Sequence, residues 1–389
     1  MTTLSRLVVS FVCALVMARP ATRAQNGPAA EAATSVPPDM ASFLRALPKW
    51  TVFTALNASY GYKDNLLLSY ADEERSAFVR GSADLMLMRA PRGPFEYTLF
   101  FDAERTHYFT APTSDHDAKV WIRTEPAYRL GKKWRLGLPL TGFYYDQVFD
   151  QSDTDVERLI ARTKVEGVMA GPTVRWDFHP SWWIEAQAVG QKKRYEDGSN
   201  DGRTGEGNLS LAWSAGSRFE ATISGGRRWR DFAQRSQYSA SGRELPGTEL
   251  KISEREGELR FDIWWDEATR WKTTTRASHL RYRDNGSGFF DFREEKVAQE
   301  LKWTDGPWLV RVKGSASRLD FGVQTVGVGI DPPSRVKDEF TGDFHIERQL
   351  SKRWTVFGTY MWERSRSNDE FTSYTMNEGL LGIRWSWEK

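Results

Sequence analysis

The sequence predicts an all-β fold, a transmembrane antiparallel up-and-down β-barrel of about sixteen strands. Three observations carry this. Apolar and aromatic residues recur at every second position from Trp50 onward, as in Phe95-Tyr97-Leu99-Phe101 and Leu259-Phe261-Ile263-Trp265, which puts them on one face of a strand. The opposite face of the second segment carries Glu254, Glu256, Glu258, Arg260 and Asp262, so it must meet water or paired charge. The linkers alternate between very short and long, and no segment shows a helical period.

The strands follow in order. Segment 50–61 reaches 75–89 through a polar loop, and Ala90 to Gly93 turns the chain into 94–108. Segment 118–129 turns at Leu130 to Lys133 into 134–149. Segment 162–178 turns at His179-Pro180 into 181–195, and 204–215 turns at Gly216-Ser217 into 218–232. After the long loop Ala233 to Glu249, segment 250–265 turns at Asp266 to Ala268 into 269–284. Segment 289–304 turns at Asp305-Gly306 into 307–320, and Gly322 to Arg335 forms another long loop. Segment 336–350 turns at Ser351 to Arg353 into 354–366, and 373–388 ends the wall. Short turns after even strands and longer loops after nearly every odd one are the asymmetry of a membrane barrel, with short periplasmic turns, longer extracellular loops and both termini in the periplasm. Soluble propellers and sandwiches use strands of about 5–6 residues and lack that asymmetry. Trp50 and Trp387 fall on the strands expected to close the barrel.

The start reads as a cleaved export signal over 1–24: Arg6, the apolar run Leu7 to Ala18, then Thr22-Arg23-Ala24 before Gln25, with Val16-Met17-Ala18 as a second cleavage candidate. A run of about 12 residues is too short to cross ~30 Å of hydrocarbon as a helix. Residues 25–49 read as a short periplasmic lead-in, and 50–389 as the barrel. Cys13, the only cysteine, lies in the signal without a lipoprotein pattern before it, so thiolate chemistry is excluded from the processed chain. With 54 basic and 52 acidic residues the net charge is +2, and no basic stripe of a nucleic-acid binder is present. A mean hydropathy of −0.58 fits a wall that is apolar only at alternate positions. The 17 tryptophans and 13 tyrosines suit the two membrane interfaces.

Two segments carry a resemblance. Ala58-Ser59-Tyr60-Gly61-Tyr62-Lys63-Asp64-Asn65-Leu66-Leu67-Leu68-Ser69 resembles the opening hairpin of porin-type Gram-negative outer-membrane β-barrel proteins, where a strand ends in an aspartate–asparagine loop. In the last strand Leu381, Ile383, Trp385 and Trp387 share one face, similar to the signal by which outer-membrane proteins are recognised for insertion, although Glu388-Lys389 follow the final aromatic residue. The resemblance implies an outer-membrane location and the insertion machinery as a partner. It brings no catalytic or binding residues with it.

The candidate site is a charge ladder on the inner face. Arg228 and Arg230 are expected beside Glu254, followed by Glu256 and Glu258, with Asp262 near Lys272 and Glu258 near Arg276. The next strand adds Lys296, Glu300 and Lys302. Cross-strand opposite charges contribute about 0.2–1 kcal/mol each, and unpaired charge in a narrow lumen is costly. Such a ladder either selects solutes in a constricted pore or only solvates the wall, and its mixed signs oppose a strong ion preference.

Catalysis is not expected. Of the five histidines, His107 and His116 lie at a predicted loop, His179 lies in a turn, and Ser278 and His279 point to opposite faces. His345 shares a face with Asp343 and Glu347, which allows an acid–base or metal cluster or a satisfied luminal histidine. Gly225-Gly226 and Gly327-Val328-Gly329 do not form phosphate cradles, so no cofactor or metal is expected. The expected role is a porin-like channel in contact with membrane lipid and passing small polar solutes, with no nucleic-acid partner; a homo-oligomer is compatible with it. The alternatives are a barrel for secretion or surface-polysaccharide export, and a structural or adhesive barrel acting through its loops. The short lead-in offers no docking module, which favours the channel.

Overall fold

Alternation at every second residue becomes a closed antiparallel wall. The computed structural model describes residues 49–71, 73–89, 93–112, 114–150, 160–196, 198 and 200–388. The expected signal 1–24 and nearly all of the lead-in 25–49 lie outside the described residues. The wall strands are β1 (Trp50–Lys63), β2 (Ser76–Arg89), β3 (Phe95–Tyr108), β4 (His116–Leu130), β5 (Trp134–Gly137 continued by Leu140–Asp150), β6 (Ile160–Ala170 continued by Thr173–His179), β7 (Trp182–Tyr195) and β8 (Gly202–Ala215). They continue as β9 (Phe219–Phe232), β10 (Lys251–Trp264), β11 (Trp271–Asp284), β12 (Phe292–Asp305), β13 (Trp308–Thr325), β14 (Ser334–Gln349), β15 (Trp354–Ser367) and β16 (Tyr374–Glu388). Each strand pairs with its chain neighbours, and β1 pairs with β16 from Phe53 opposite Glu388 to Lys63 opposite Glu378, closing a barrel of sixteen crossings.

Prolines explain the two interruptions. Pro139 and Pro172 cannot donate to the ladder, so β5 and β6 are each split there. Pro126 on β4 belongs to the same seam. All three still accept: Leu138 N–H donates to the Pro126 carbonyl (3.0 Å), Gly171 to Pro139 (3.2 Å) and Ala188 to Pro172 (3.1 Å). The register therefore runs through unbroken.

The two faces differ as the pattern requires. Tyr97, Leu99, Phe101, Leu259, Phe261, Ile263, Leu381, Ile383 and Trp385 share the outer face, where their cross-strand partners include Leu85, Leu87, Ile223 and Val356. At the short-turn end an aromatic girdle rings this face. Trp134 stacks on Trp176 at 5.4 Å, Trp182 lies 6.0 Å from Trp213, Trp271 5.8 Å from Trp303, and Trp50 5.9 Å from Tyr97. Indole and phenol rings favour such an interface because one edge is apolar and the other polar.

The long-loop end departs from the expectation of purely polar loops. Strand β12 begins at Phe292, not near 289, and Phe289 and Phe290 leave the sheet. They pack with Tyr238 from the loop 233–250 onto Phe232, Ile252, Tyr282, Phe292 and Leu319 on the inner face. Opposite this shelf, Leu66 joins Phe78 and Tyr108, and Leu68 joins Tyr374 and Met376. Leu68 holds a left-handed φ of 51°. Its conformation is fixed by Asn65, whose carboxamide donates to the Ser69 carbonyl (2.8 Å) and accepts from the Ser69 N–H (2.9 Å). Strand β13 also runs past the expected end at 320, through an irregularity between Asp320 and Thr325.

An arginine at Leu259, between the girdle and the upper rim of the outer face, is expected to destabilise the barrel by about 2–4 kcal/mol in urea titrations in lipid vesicles. The same residue at Ser278, inner-facing and opposite Glu258, is expected to be nearly neutral. Equal losses at the two sites contradict the assigned faces.

Candidate functional site

The inner face of β8 to β13 gathers the charges singled out in the sequence. Register places Glu206 on β8, Arg228 on β9 and Glu254 on β10 directly in line. Arg228 Nε donates to Glu206 Oε2 and its Nη1 to Glu254 Oε2, each at 2.7 Å, while Arg230 Nη2 reaches Glu254 Oε1 at 3.4 Å. Glu254 is buried, so this carboxylate depends on its two guanidinium partners. A second knot lies nearer the short turns. Asp262, only 2% exposed, accepts from Arg260 Nε (2.7 Å), Lys272 Nζ (2.7 Å) and Thr274 Oγ1 (2.6 Å).

Other ladder members meet different partners from those expected. Glu258 faces Ser224 and Ser278, and Arg276 faces Arg260. The turn runs from Asp266 to Arg270, with Trp265 N–H donating to the Trp271 carbonyl at 3.0 Å. It is two residues longer than the expected Asp266 to Ala268, which shifts β11 by two positions. The Arg270 guanidinium, 2.8 Å from Asp266, holds that turn carboxyl below the usual carboxylate range. Glu256 faces Gly226 and Leu280, and Lys296 faces Ser278 and Ser317. Glu300 pairs with Lys313 at 3.5 Å, and Lys302 lies between Lys272 and Arg311.

The opposite wall carries a network that the sequence reading did not single out. Arg80 Nη2 contacts Glu378 at 2.8 Å, Lys119 contacts Asp102 at 2.9 Å, and Arg135 bridges Glu96 and Glu125. Arg384 joins Glu347 (2.8 Å) to Asn57 across the closure seam. All occupy inner positions of their strands, so tracing the alternation through every strand would have found them, and Glu206 as well. His345 donates or accepts between Glu347 (2.7 Å) and Thr359 (2.9 Å), while Asp343 turns to Arg311. Among the described residues no group of three or more metal-type ligands converges.

On this second wall lies a luminal chamber of about 530 Å³, bounded by β1 to β5 and β14 to β16. Its lining includes Lys63, Arg80 and Lys119 against Glu104, Asp117, Glu339, Glu363 and Glu378. Asp117 and Glu363 each accept from a tyrosine hydroxyl, of Tyr108 (2.7 Å) and Tyr374 (2.5 Å), so neutral donors hold two of these carboxylates.

A closed wall with an apolar outer face, an aromatic girdle, an interior of paired charge and long loops at one end is the construction of a Gram-negative outer-membrane β-barrel. The fold is similar to that of a loop L8 deletion mutant of OmpT, an outer membrane protein of Vibrio cholerae, with a TM-score of 0.47 and 9% identity over 87% of this chain and 100% of that one. It is similar to OccAB3 of Acinetobacter baumannii, at 0.48 and 7% over 87% and 99% of the two chains. It is similar also to a bacterial polysaccharide outer membrane secretin, at 0.44 and 8% over 88% and 99%. No protein-family model and no curated protein matches the chain.

Glu254→Gln leaves Arg228 and Arg230 sharing a neutral partner, and is expected to cost about 1–3 kcal/mol in vesicle urea titrations. Glu258→Gln, between two serines, is expected to stay within about 0.5 kcal/mol of the parent. Similar costs for the two would show that the Arg228–Glu254 contact does not hold the wall.

Proposed function

We propose that the protein is a porin-like outer-membrane channel that passes small polar solutes. The observation that carries this reading is the luminal chamber, a polar space lined by charged side chains of β1 to β4 and β14 to β16. The two apolar shelves at the long-loop end narrow the entrance and leave the polar lining as the surface a solute would meet. Paired charges keep such a lining wet without giving it one strong sign, so size and hydrogen bonding select the solute more than net charge does.

Planar-bilayer recording tests this directly. The purified barrel is expected to conduct, and Glu254, Glu256 and Glu258 replaced together by glutamine are expected to shift the reversal potential across a salt gradient towards anions. The shift should fade as ionic strength rises, because the field extends about 10 Å at 0.1 M salt. A barrel that inserts without conducting contradicts the channel reading and favours a structural or adhesive role. Conduction with identical potentials for parent and triple variant would remove the ladder from the conducting path.

A further inference from the structure

The outer face carries an arrangement that solute passage does not explain. Arg227 on β9 lies directly opposite Arg255 on β10, Arg255 opposite Arg281 on β11, and Arg281 opposite Arg293 on β12. Four arginines on four consecutive strands therefore form one row, on the same face as Ile223, Leu259 and Trp271. Like charges placed directly across a ladder repel, and a sheet ordinarily separates them. Among the described residues none of the four is in an ion pair within 4 Å, and Arg227 lies over the Trp229 ring at 4.8 Å. The row ends at Gly207, opposite Arg227, and at Asp320, opposite Arg293. The nearest other outer-face acids face elsewhere: Asp231 lies opposite Arg203 and Lys251, and Glu295 opposite His279 and Arg318.

The surroundings say what kind of partner fits. Charged arginine is costly on the lipid face near the midplane and tolerated near the interface, which sets the row at headgroup level on the long-loop side. On the membrane side of it, Gly225, Gly257 and His279 occupy the next outer positions on β9 to β11, and Ile223, Leu259 and Ala277 form the apolar row below them. A Cβ added at Gly257 would meet nothing within 4 Å and one at Gly225 only the Glu256 carbonyl at 3.7 Å, so the wall beneath Arg227 and Arg255 is recessed. A guanidinium row above a recessed apolar floor is complementary to an anionic head attached to a hydrocarbon chain. Phosphate suits it best, since its oxygens accept from two forked guanidinium groups at once and cancel their repulsion.

We propose that the outer face of β9 to β12 is a docking surface for a phosphate-bearing lipid of the outer leaflet. Arg227, Arg255, Arg281 and Arg293 bind the phosphates, and the chain lies over the glycine recess towards Ile223 and Leu259. A free phosphate ion would use the arginines alone. The apolar floor continuous with the membrane band favours the lipid. This inference is independent of whether the lumen conducts.

The test compares the parent with R227Q/R255Q/R281Q/R293Q, each refolded in phosphatidylcholine vesicles with or without a minor fraction of bisphosphorylated lipid A. K132Q/R218Q/R270Q/R353Q, altered at the short turns, controls for net charge. After transfer to neutral detergent, the parent and the control are expected to retain lipid A, and the row variant to retain about tenfold less, the factor set by losing one charge-assisted contact. The urea midpoint supplies a readout that changes sign. Without lipid A the row variant should be more stable than the parent, because the repulsion is gone. With lipid A it should be less stable. Arg255→Gln alone, flanked by arginine on both sides, gives the same comparison should the fourfold variant not refold. Equal retention by parent and row variant overturns the proposal. So does stabilisation of the parent by inorganic phosphate as large as that by lipid A, which would make the row a free-anion site.

Discussion

Every other feature of this structure depends on the pairing of β1 with β16. A sheet in hydrocarbon cannot leave N–H and C=O groups unpaired along an edge, because no water is present to satisfy them. Closure removes both edges and at the same time divides the chain into an inner and an outer set of side chains. The seam is reinforced at its long-loop end. Asp64 accepts from the Asn377 backbone N–H (2.7 Å) and side chain (2.6 Å), and Asn65 donates to the Thr375 carbonyl (3.1 Å). The aspartate–asparagine pair in the opening hairpin thus fastens the first strand to the last. Arg384 and Asn57 make a further inner contact across the same seam.

Once the faces are separated, one residue type meets two different environments. Inside, Arg228 lies between two carboxylates, Arg80 against Glu378 and Arg135 between Glu96 and Glu125. These pairs offset the cost of removing charge from bulk water. Outside, Arg227 is the chain neighbour of Arg228 yet faces Arg255. Alternation along one strand sends one arginine to a carboxylate and the next to another arginine. The inner arrangement is complete within the chain, whereas the outer one calls for an anion from the membrane.

Much of this was legible in the sequence because a period of two survives whatever the strands pair with. The strand spans, the short and long connections and the face of each ladder residue all follow from it. Contacts that depend on turn length were less legible. The longer turn at Asp266 to Arg270 moves Glu258 to Ser278 and Arg276 to Arg260, and no periodicity within either strand reveals that slip. Loop burial was not legible either: Leu66, Leu68, Phe289 and Phe290 read as ordinary apolar residues near strand ends. Their packing is against inner-face residues of other strands, which no pattern within one segment shows. The prolines were visible, but their alignment as a seam through β4, β5 and β6 needs the register of all three strands.

The most direct test of this account is a cross-link through the closure seam. Ala58 on β1 and Ile383 on β16 are directly opposite, although they are far apart in the chain. Opposed Cβ atoms lie about 4.5–5.5 Å apart, close enough for a disulfide with small adjustment. The variant Ala58→Cys with Ile383→Cys, refolded in vesicles and oxidised, should form an intramolecular bond in nearly every molecule. Ala58→Cys with Ile263→Cys, on a remote part of the wall, should not. Absence of the bond in the first pair, with the barrel folded and protease-resistant, would show that β1 and β16 do not meet and would contradict the closed barrel.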